Sequence, residues 1–117
     1  MKLDCSERDG IVNVNVEGRV VHGEVDLSDD PLKARLGADV YKKKVLINLE
    51  RTDFVDSAGI SWLLIIHKRC REAGGTMVIH SVTPMVRQVL NVLRLDHVFH
   101  LASDATAAKT MAMGASK

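Results

Sequence analysis

The second half of the chain alternates between short apolar runs and longer amphipathic segments, and this alternation constrains the fold most. Residues 44–49 read Lys-Val-Leu-Ile-Asn-Leu, a nearly continuous apolar run of the kind that forms a strand buried on both faces of a parallel sheet. Apolar residues then recur at helical spacing over Ser57–Ala73, and Gly74-Gly75 supplies a C-terminal stop. Another short apolar run, Thr76–His80, follows. This order predicts a parallel sheet whose strands are joined by helices.

The same patterns predict the other elements. Strict alternation over residues 11–17 indicates a half-buried strand that ends at Gly18, and the turn signal Asp9-Gly10 makes residues 3–8 the first arm of a hairpin. Further predicted elements are a helix over residues 31–42, a loop over 50–56, a helix opened by Thr83-Pro84, a short strand around 97–101 and a helix over about 104–113. Residues 1–117 are therefore predicted to form a single α/β domain, with a mainly parallel or mixed sheet of four to five strands covered by about four helices.

Composition excludes several classes of function. The chain has 117 residues and a net charge of +1, and this balance argues against nucleic acid as a partner because phosphate binding normally requires an excess of Lys and Arg. Residues 1–10 lack the apolar run of a signal peptide, and the longest apolar run, 62–66, is too short to span a bilayer. We therefore expect a cytoplasmic protein without membrane insertion, most simply a monomer. Cys70 falls on an apolar helix face and is predicted to be a buried free thiol.

The segment from Asp53 to Ile60 is the one most able to carry chemistry, because it lies where a buried strand is followed by an amphipathic helix. Ser57, at the predicted helix start, has two possible roles. It could cap the helix by accepting a hydrogen bond from a backbone N–H. Alternatively its hydroxyl is exposed and modifiable, because a phosphate formed there would meet free N–H groups and the positive end of the helix dipole. Position alone favours the cap and leaves both roles open.

Three stretches of the sequence resemble a known family. Residues 45–60, which include Asp-Ser-Ala-Gly at 56–59, together with residues 72–79 and Thr83-Pro84, look like a STAS domain, a name that covers sulfate transporters and anti-sigma factor antagonists. The resemblance extends over about residues 11–113. In bacterial antagonists of this kind the motif serine is phosphorylated by an anti-sigma factor that is itself a serine kinase, a histidine-kinase-like ATPase. The unphosphorylated antagonist binds that kinase, which frees the sigma factor.

The resemblance implies roles for individual residues. Ser57 would be the phosphoacceptor, Asp56 its acidic neighbour and Gly59 the small residue that lets a partner approach the helix start. The partner surface is predicted to consist of Asp56, Ser57, Ala58, Gly59, Ile60, Arg19, Val21 and His22, because these residues lie near the ends of strands that should be neighbours. The chain also departs from the family, since Gly18-Arg19-Val20-Val21 stands where members often have Gly-Glu-Leu-Asp. A phosphate on Ser57 would add roughly −1.5 to −2 charges, which we expect to weaken partner binding with little change of shape.

Other classes of function fit some features of the sequence. A scaffold or regulatory subunit of a stress-signalling or transporter complex, without any switch, remains an alternative. A serine hydrolase is disfavoured because Val55 stands where a nucleophile elbow has glycine, and because His67 would lie about 15 Å along the helix. His97 and His100, if they lie on a strand, point to opposite faces. We therefore predict no enzymatic activity, no metal site and no cofactor.

Overall fold

The computed structural model describes residues 1–26 and 28–115, and of Ala115 only the backbone. Five strands, β1 (Lys2–Arg8), β2 (Ile11–Val20), β3 (Lys44–Val55), β4 (Thr76–His80) and β5 (His100–Ala102), alternate after the first two with four helices, α1 (Pro31–Leu36), α2 (Ser57–Ala73), α3 (Pro84–Val92) and α4 (Ala105–Ala115). The strands form one sheet in the order β1-β2-β3-β4-β5. β1 pairs with β2 antiparallel, and the other neighbours are parallel. The predicted fold class is confirmed.

Strands β2 and β3 are both longer than predicted. Gly18 does not end β2, because its positive φ of 92° accommodates an irregularity in the pairing with β3 and the strand continues to Val20. Residues 50–55, predicted as loop, continue β3. The Thr52 hydroxyl is buried in this extension and donates to the Val16 carbonyl oxygen at 3.0 Å. The extension brings the C-terminal ends of β2 and β3 to the same edge of the sheet.

The predicted helix over residues 31–42 is interrupted at Gly37, whose φ of +94° takes the chain out of helical geometry. α1 ends at Leu36, and a 3-10 turn over Val40–Lys42 follows. The carboxylate of Asp30, the residue before α1, holds this region against α2, because it accepts hydrogen bonds from the Tyr41 hydroxyl at 2.5 Å and from Arg69 Nη1 at 2.9 Å. The apolar residues 32, 36 and 40 therefore lie on two short elements, α1 and the 3-10 turn, and not on one helix.

The last strand also differs from its prediction. Leu95–His97 form a 3-10 turn, and β5 begins only at His100. Arg94, with a φ of +58°, supplies the change of direction before this turn. His97 and His100 therefore do not share a strand.

Apolar side chains pack on both faces of the sheet, over all of one face and over part of the other. α1, α2 and α3 cover one face, where the core includes Val14, Ile47, Leu63 and Leu90. α4 covers the other face over β3, β4 and β5, and the residues buried there are Leu46, Val78, Ala102, Ala108 and Ala112. Cys70 is a free cysteine that is fully buried in the core under α1, α2 and α3, as predicted. Within the described ranges, none of the helices has the length and apolarity to cross a membrane.

Candidate functional site

Ser57 is the first residue of α2, and its side chain is exposed. The residue that caps the helix is Asp56, which has extended backbone geometry and whose Oδ1 accepts hydrogen bonds from the N–H groups of Ala58 at 2.9 Å and Gly59 at 3.1 Å. The capping role considered for Ser57 is therefore wrong, because Asp56 already occupies that position. Among residues 1–26 and 28–115, nothing hydrogen-bonds to the Ser57 hydroxyl, which leaves it free to react or to contact another molecule.

The second oxygen of the Asp56 carboxylate contacts a distant part of the chain. Oδ2 accepts a hydrogen bond from the backbone N–H of His22 at 2.9 Å. This bond, followed by those from Gly59 and Ala58, holds the pKa of the Asp56 carboxyl below its ordinary value. A charged carboxylate therefore lies beside the Ser57 hydroxyl at neutral pH.

Gly59 has a structural role that differs from the predicted one. It is buried, and a Cβ at this position would overlap the carbonyl oxygen of Val20 and come within 2.7 Å of Val55 Cγ1. The small residue therefore lets α2 approach the end of β2 in the same chain. Ile60 is also buried, at 6% exposure. Of the five predicted surface residues in this segment, Asp56, Ser57 and Ala58 remain where a partner could reach them.

The three predicted surface residues from β2 and the turn after it lie next to this helix start. The ends of β2 and β3 are neighbours, since Val20 pairs with Val55 and the Asp56 N–H donates to the Val20 carbonyl at 3.3 Å. Arg19 and His22 are exposed, and Val21 is half-buried. Parallel strands that end at one edge account for this proximity, as the sequence predicted.

Sequence reasoning missed Phe54 and the second contact of Asp56. Phe54 is 36% exposed and pairs with Arg19 across the strands, with the guanidinium carbon 5.7 Å from the ring centroid. The position of Phe54 between the polar Asp53 and the buried Val55 was a signal that its ring is exposed. The contact between Asp56 and His22 joins residues 34 positions apart, and no local pattern could have indicated it.

The arrangement is suited to binding and modification at a surface. A small neutral hydroxyl and a carboxylate lie at the edge of the sheet, flanked by the exposed Arg19 and His22. In the part of the chain that the structure describes, no three His, Cys, Asp or Glu side chains are grouped closely enough to hold a metal ion. The chemistry visible at this site is therefore that of an exposed hydroxyl beside a charged carboxylate.

Comparison with known proteins identifies relatives of the whole chain. The model of the STAS domain family matches residues 2–108. BtrV of Bordetella bronchiseptica, provisionally named an anti-sigma factor antagonist, is 30% identical over 110 residues, which cover 92% of this chain and 91% of BtrV. Protein TM1081 of Thermotoga maritima, also provisionally named an anti-sigma factor antagonist, superimposes with a TM-score of 0.85 at 17% identity and covers 95% of this chain and 94% of its own.

A further similar structure is that of a protein in a modified state. The Bacillus cell fate determinant SpoIIAA in its phosphorylated form has a TM-score of 0.66 and 18% identity, and the alignment covers 94% of this chain and 99% of SpoIIAA. The identities to both solved structures are low, so these two likenesses establish the fold alone.

Proposed function

Because this chain belongs to the STAS domain family and its relatives include anti-sigma factor antagonists, we propose that it is an anti-sigma factor antagonist switched by phosphorylation of Ser57. In this proposal the unphosphorylated protein binds an anti-sigma factor in the cytoplasm and thereby releases a sigma factor, which regulates transcription. The protein acts by binding and is not itself an enzyme. Its partner is a serine kinase of the histidine-kinase-like ATPase class, which transfers the γ-phosphoryl group of ATP to Ser57 Oγ and releases ADP.

The observation that carries this proposal is the free, exposed hydroxyl of Ser57. Asp56 accepts the first-turn hydrogen bonds of α2, so Ser57 is not needed to cap the helix and no residue in the described ranges holds its hydroxyl. A structural serine at a helix start would normally be occupied by such contacts. An unoccupied hydroxyl on the surface can instead be reached by the active site of a kinase.

The electrostatics of the helix start favour a switch. A phosphate adds roughly −1.5 to −2 charges at neutral pH, and the positive end of the α2 dipole stabilises such a charge. The fold should therefore tolerate the modification. A partner surface that fits a neutral hydroxyl beside the Asp56 carboxylate would instead meet excess negative charge and lose close packing, which weakens the complex. That SpoIIAA, which shares this fold, has a phosphorylated form supports the proposal.

The experiment that tests the proposal measures binding and phosphorylation together. The full chain is used as bait in lysate of its source organism, as wild type, Ser57→Ala and Ser57→Asp, and the captured proteins are identified by mass spectrometry. We expect wild type and Ser57→Ala to retain a histidine-kinase-like ATPase that Ser57→Asp does not. That ATPase, purified and supplied with ATP, should phosphorylate wild type and leave Ser57→Ala unmodified.

Ser103 offers a matched control, because it is also an exposed serine next to a helix start. Ser103→Ala and Ser103→Asp should bind and be phosphorylated as the wild type is. If all three Ser57 forms captured the same proteins, the switch would be refuted. In that case a scaffold or regulatory subunit, of a stress-signalling or transporter complex, would become the better description.

A further inference from the structure

One carboxylate connects the turn after β2 with the start of α2. The Val21 carbonyl accepts hydrogen bonds from the N–H groups of Glu24 at 2.9 Å and Val25 at 3.2 Å, and these bonds close the turn over residues 21–25. The N–H of His22 is directed away from the turn and donates to Asp56 Oδ2 at 2.9 Å. The turn and the helix start are therefore joined at the residue that precedes Ser57.

The other oxygen of the same carboxylate is committed to the helix. Asp56 Oδ1 accepts from Ala58 N–H and Gly59 N–H. Since one planar group accepts from both places, a rotation that changes its contacts with the helix also changes its contact with His22. Asp56 thus responds to any new charge or acceptor that appears at the first turn of α2.

A phosphate on Ser57 would be such a charge. Adjacent Cα atoms are about 3.8 Å apart, so the phosphate would lie close to the Asp56 carboxylate and repel it. Its oxygens would also compete for the first-turn N–H groups that Asp56 Oδ1 now occupies. Both effects move the carboxylate, and its bond to the His22 N–H is the one that the helix itself does not hold in place.

We propose that Asp56 is a positioning residue that couples the phosphorylation state of Ser57 to the turn over residues 21–25. With a free hydroxyl at Ser57 the turn is tied to α2, and with a phosphate it is released. The inference rests on the proposed function, since it assigns a second consequence to the same modification. The partner surface then changes in two places, at Ser57 by charge and at His22 by loss of its anchor.

The test is amide hydrogen exchange of the full chain, followed by NMR at His22. Phosphoserine is introduced at position 57 during translation, so that no kinase is required. We expect the His22 amide to exchange at least about tenfold faster in the phosphorylated chain than in the unmodified chain. Amides in the middle of β4 should exchange equally in both, which would show that the effect is local.

Two further chains separate this coupling from a general effect of charge. Phosphoserine at position 103 adds the same charge beside Asp104, which caps α4 by accepting from Ala107 N–H at 2.8 Å, and it should leave the His22 amide unchanged. Asp56→Asn retains the capping oxygen but replaces the acceptor at Oδ2 by an amide nitrogen, which cannot accept. The His22 amide should already exchange fast in that variant, and phosphoserine at position 57 should add little.

The coupling is overturned if phosphoserine at position 57 leaves His22 exchange unchanged, or if phosphoserine at position 103 raises it equally. These outcomes are distinct from a failure of the proposed function. An unchanged His22 amide together with lost partner binding would leave the switch intact and remove only the coupling. Faster His22 exchange with unchanged partner binding would leave the coupling intact and refute the proposed switch.

Discussion

Helices α2 and α4 both begin directly after an aspartate whose Oδ1 accepts at least one hydrogen bond from the first turn, but within the described ranges only Asp56 also accepts a hydrogen bond from a distant segment. Asp56 also accepts from His22, and Gly59 in the first turn packs against the Val20 carbonyl. Asp104 accepts from the nearby Ala107 N–H. The same local signal for a helix start therefore has a long-range structural role in α2 and a local one in α4.

Some properties of a helix start therefore depend on the neighbouring sequence, and others depend on the fold. A cap stabilises a helix wherever it occurs. A cap that also holds the end of a neighbouring strand makes the first turn part of the core, even though the adjacent serine is exposed. The start of α2 therefore presents an exposed hydroxyl on a helix turn that is packed against the end of β2.

The largest effect should come from glycine substitutions in the two helices. Gly59→Ala would force a Cβ onto the Val20 carbonyl oxygen, and because backbone atoms cannot give way easily, we expect it to lower the free energy of unfolding by about 3 kcal/mol or more. Gly114→Ala in α4 meets no atom of the described residues within 4 Å, and should raise that free energy by about 0.5 kcal/mol. Urea denaturation of both variants measures the contrast. A loss below about 1 kcal/mol for Gly59→Ala would show that α2 is free to move away from β2.

A smaller effect should separate the two capping aspartates. Asp104→Ala removes a local cap and should cost about 1 kcal/mol of stability. Asp56→Ala removes two cap bonds and the bond from His22, so the loss should be roughly twice as large. The free energies of unfolding of the two variants, measured under identical conditions, test this order. Equal losses would mean that neither the His22 contact nor the second cap bond of Asp56 contributes to stability.

The smallest effect should be the change in stability at acidic pH. The hydrogen bonds to Asp56, from His22 first, lower its pKa, so its carboxylate stabilises the fold fully above the ordinary carboxyl pKa of about 4 and loses that contribution as the pH falls below this value. Asp56→Asn has no such group. The stability advantage of the wild type over Asp56→Asn should therefore shrink between neutral pH and about pH 3. An advantage that stays constant over this range would contradict the assigned role of the charge.

Much of the fold follows from patterns in the sequence, because each strand and helix with one apolar face shows its own period. The alternation of elements after the hairpin, the start of α2 at Ser57 and the burial of Cys70 were all predicted. The errors lie where tertiary contacts decide. Residues 50–55 are mostly polar and still extend β3, because β2 pairs with them as far as Val20. The break at Gly37 had a local signal, which the four-residue spacing of leucines and valine obscured.

The sequence predicted where the site lies, but it predicted only some of the roles of its residues. The proximity of Arg19, Val21 and His22 to Ser57 follows from the rule that parallel strands end at one edge. The packing role of Gly59 depends on atoms of Val20, and the second contact of Asp56 depends on the backbone N–H of His22, and both partners lie more than 30 residues away in the sequence. A single sequence does not contain these distances. The roles of the motif residues therefore became readable only once the sheet was in place.

Locating phosphate on the native protein would show whether Ser57 is the switch residue. The chain is purified from cells of its source organism, grown with and without stress, and its phosphorylation sites are mapped by tandem mass spectrometry, with Ser57→Ala and Ser103→Ala strains in parallel. We expect a phosphorylated fraction that carries its phosphate on Ser57, is retained in Ser103→Ala and disappears in Ser57→Ala. A protein without phosphate on Ser57 in every condition, or one phosphorylated at a different residue, would contradict the proposed switch.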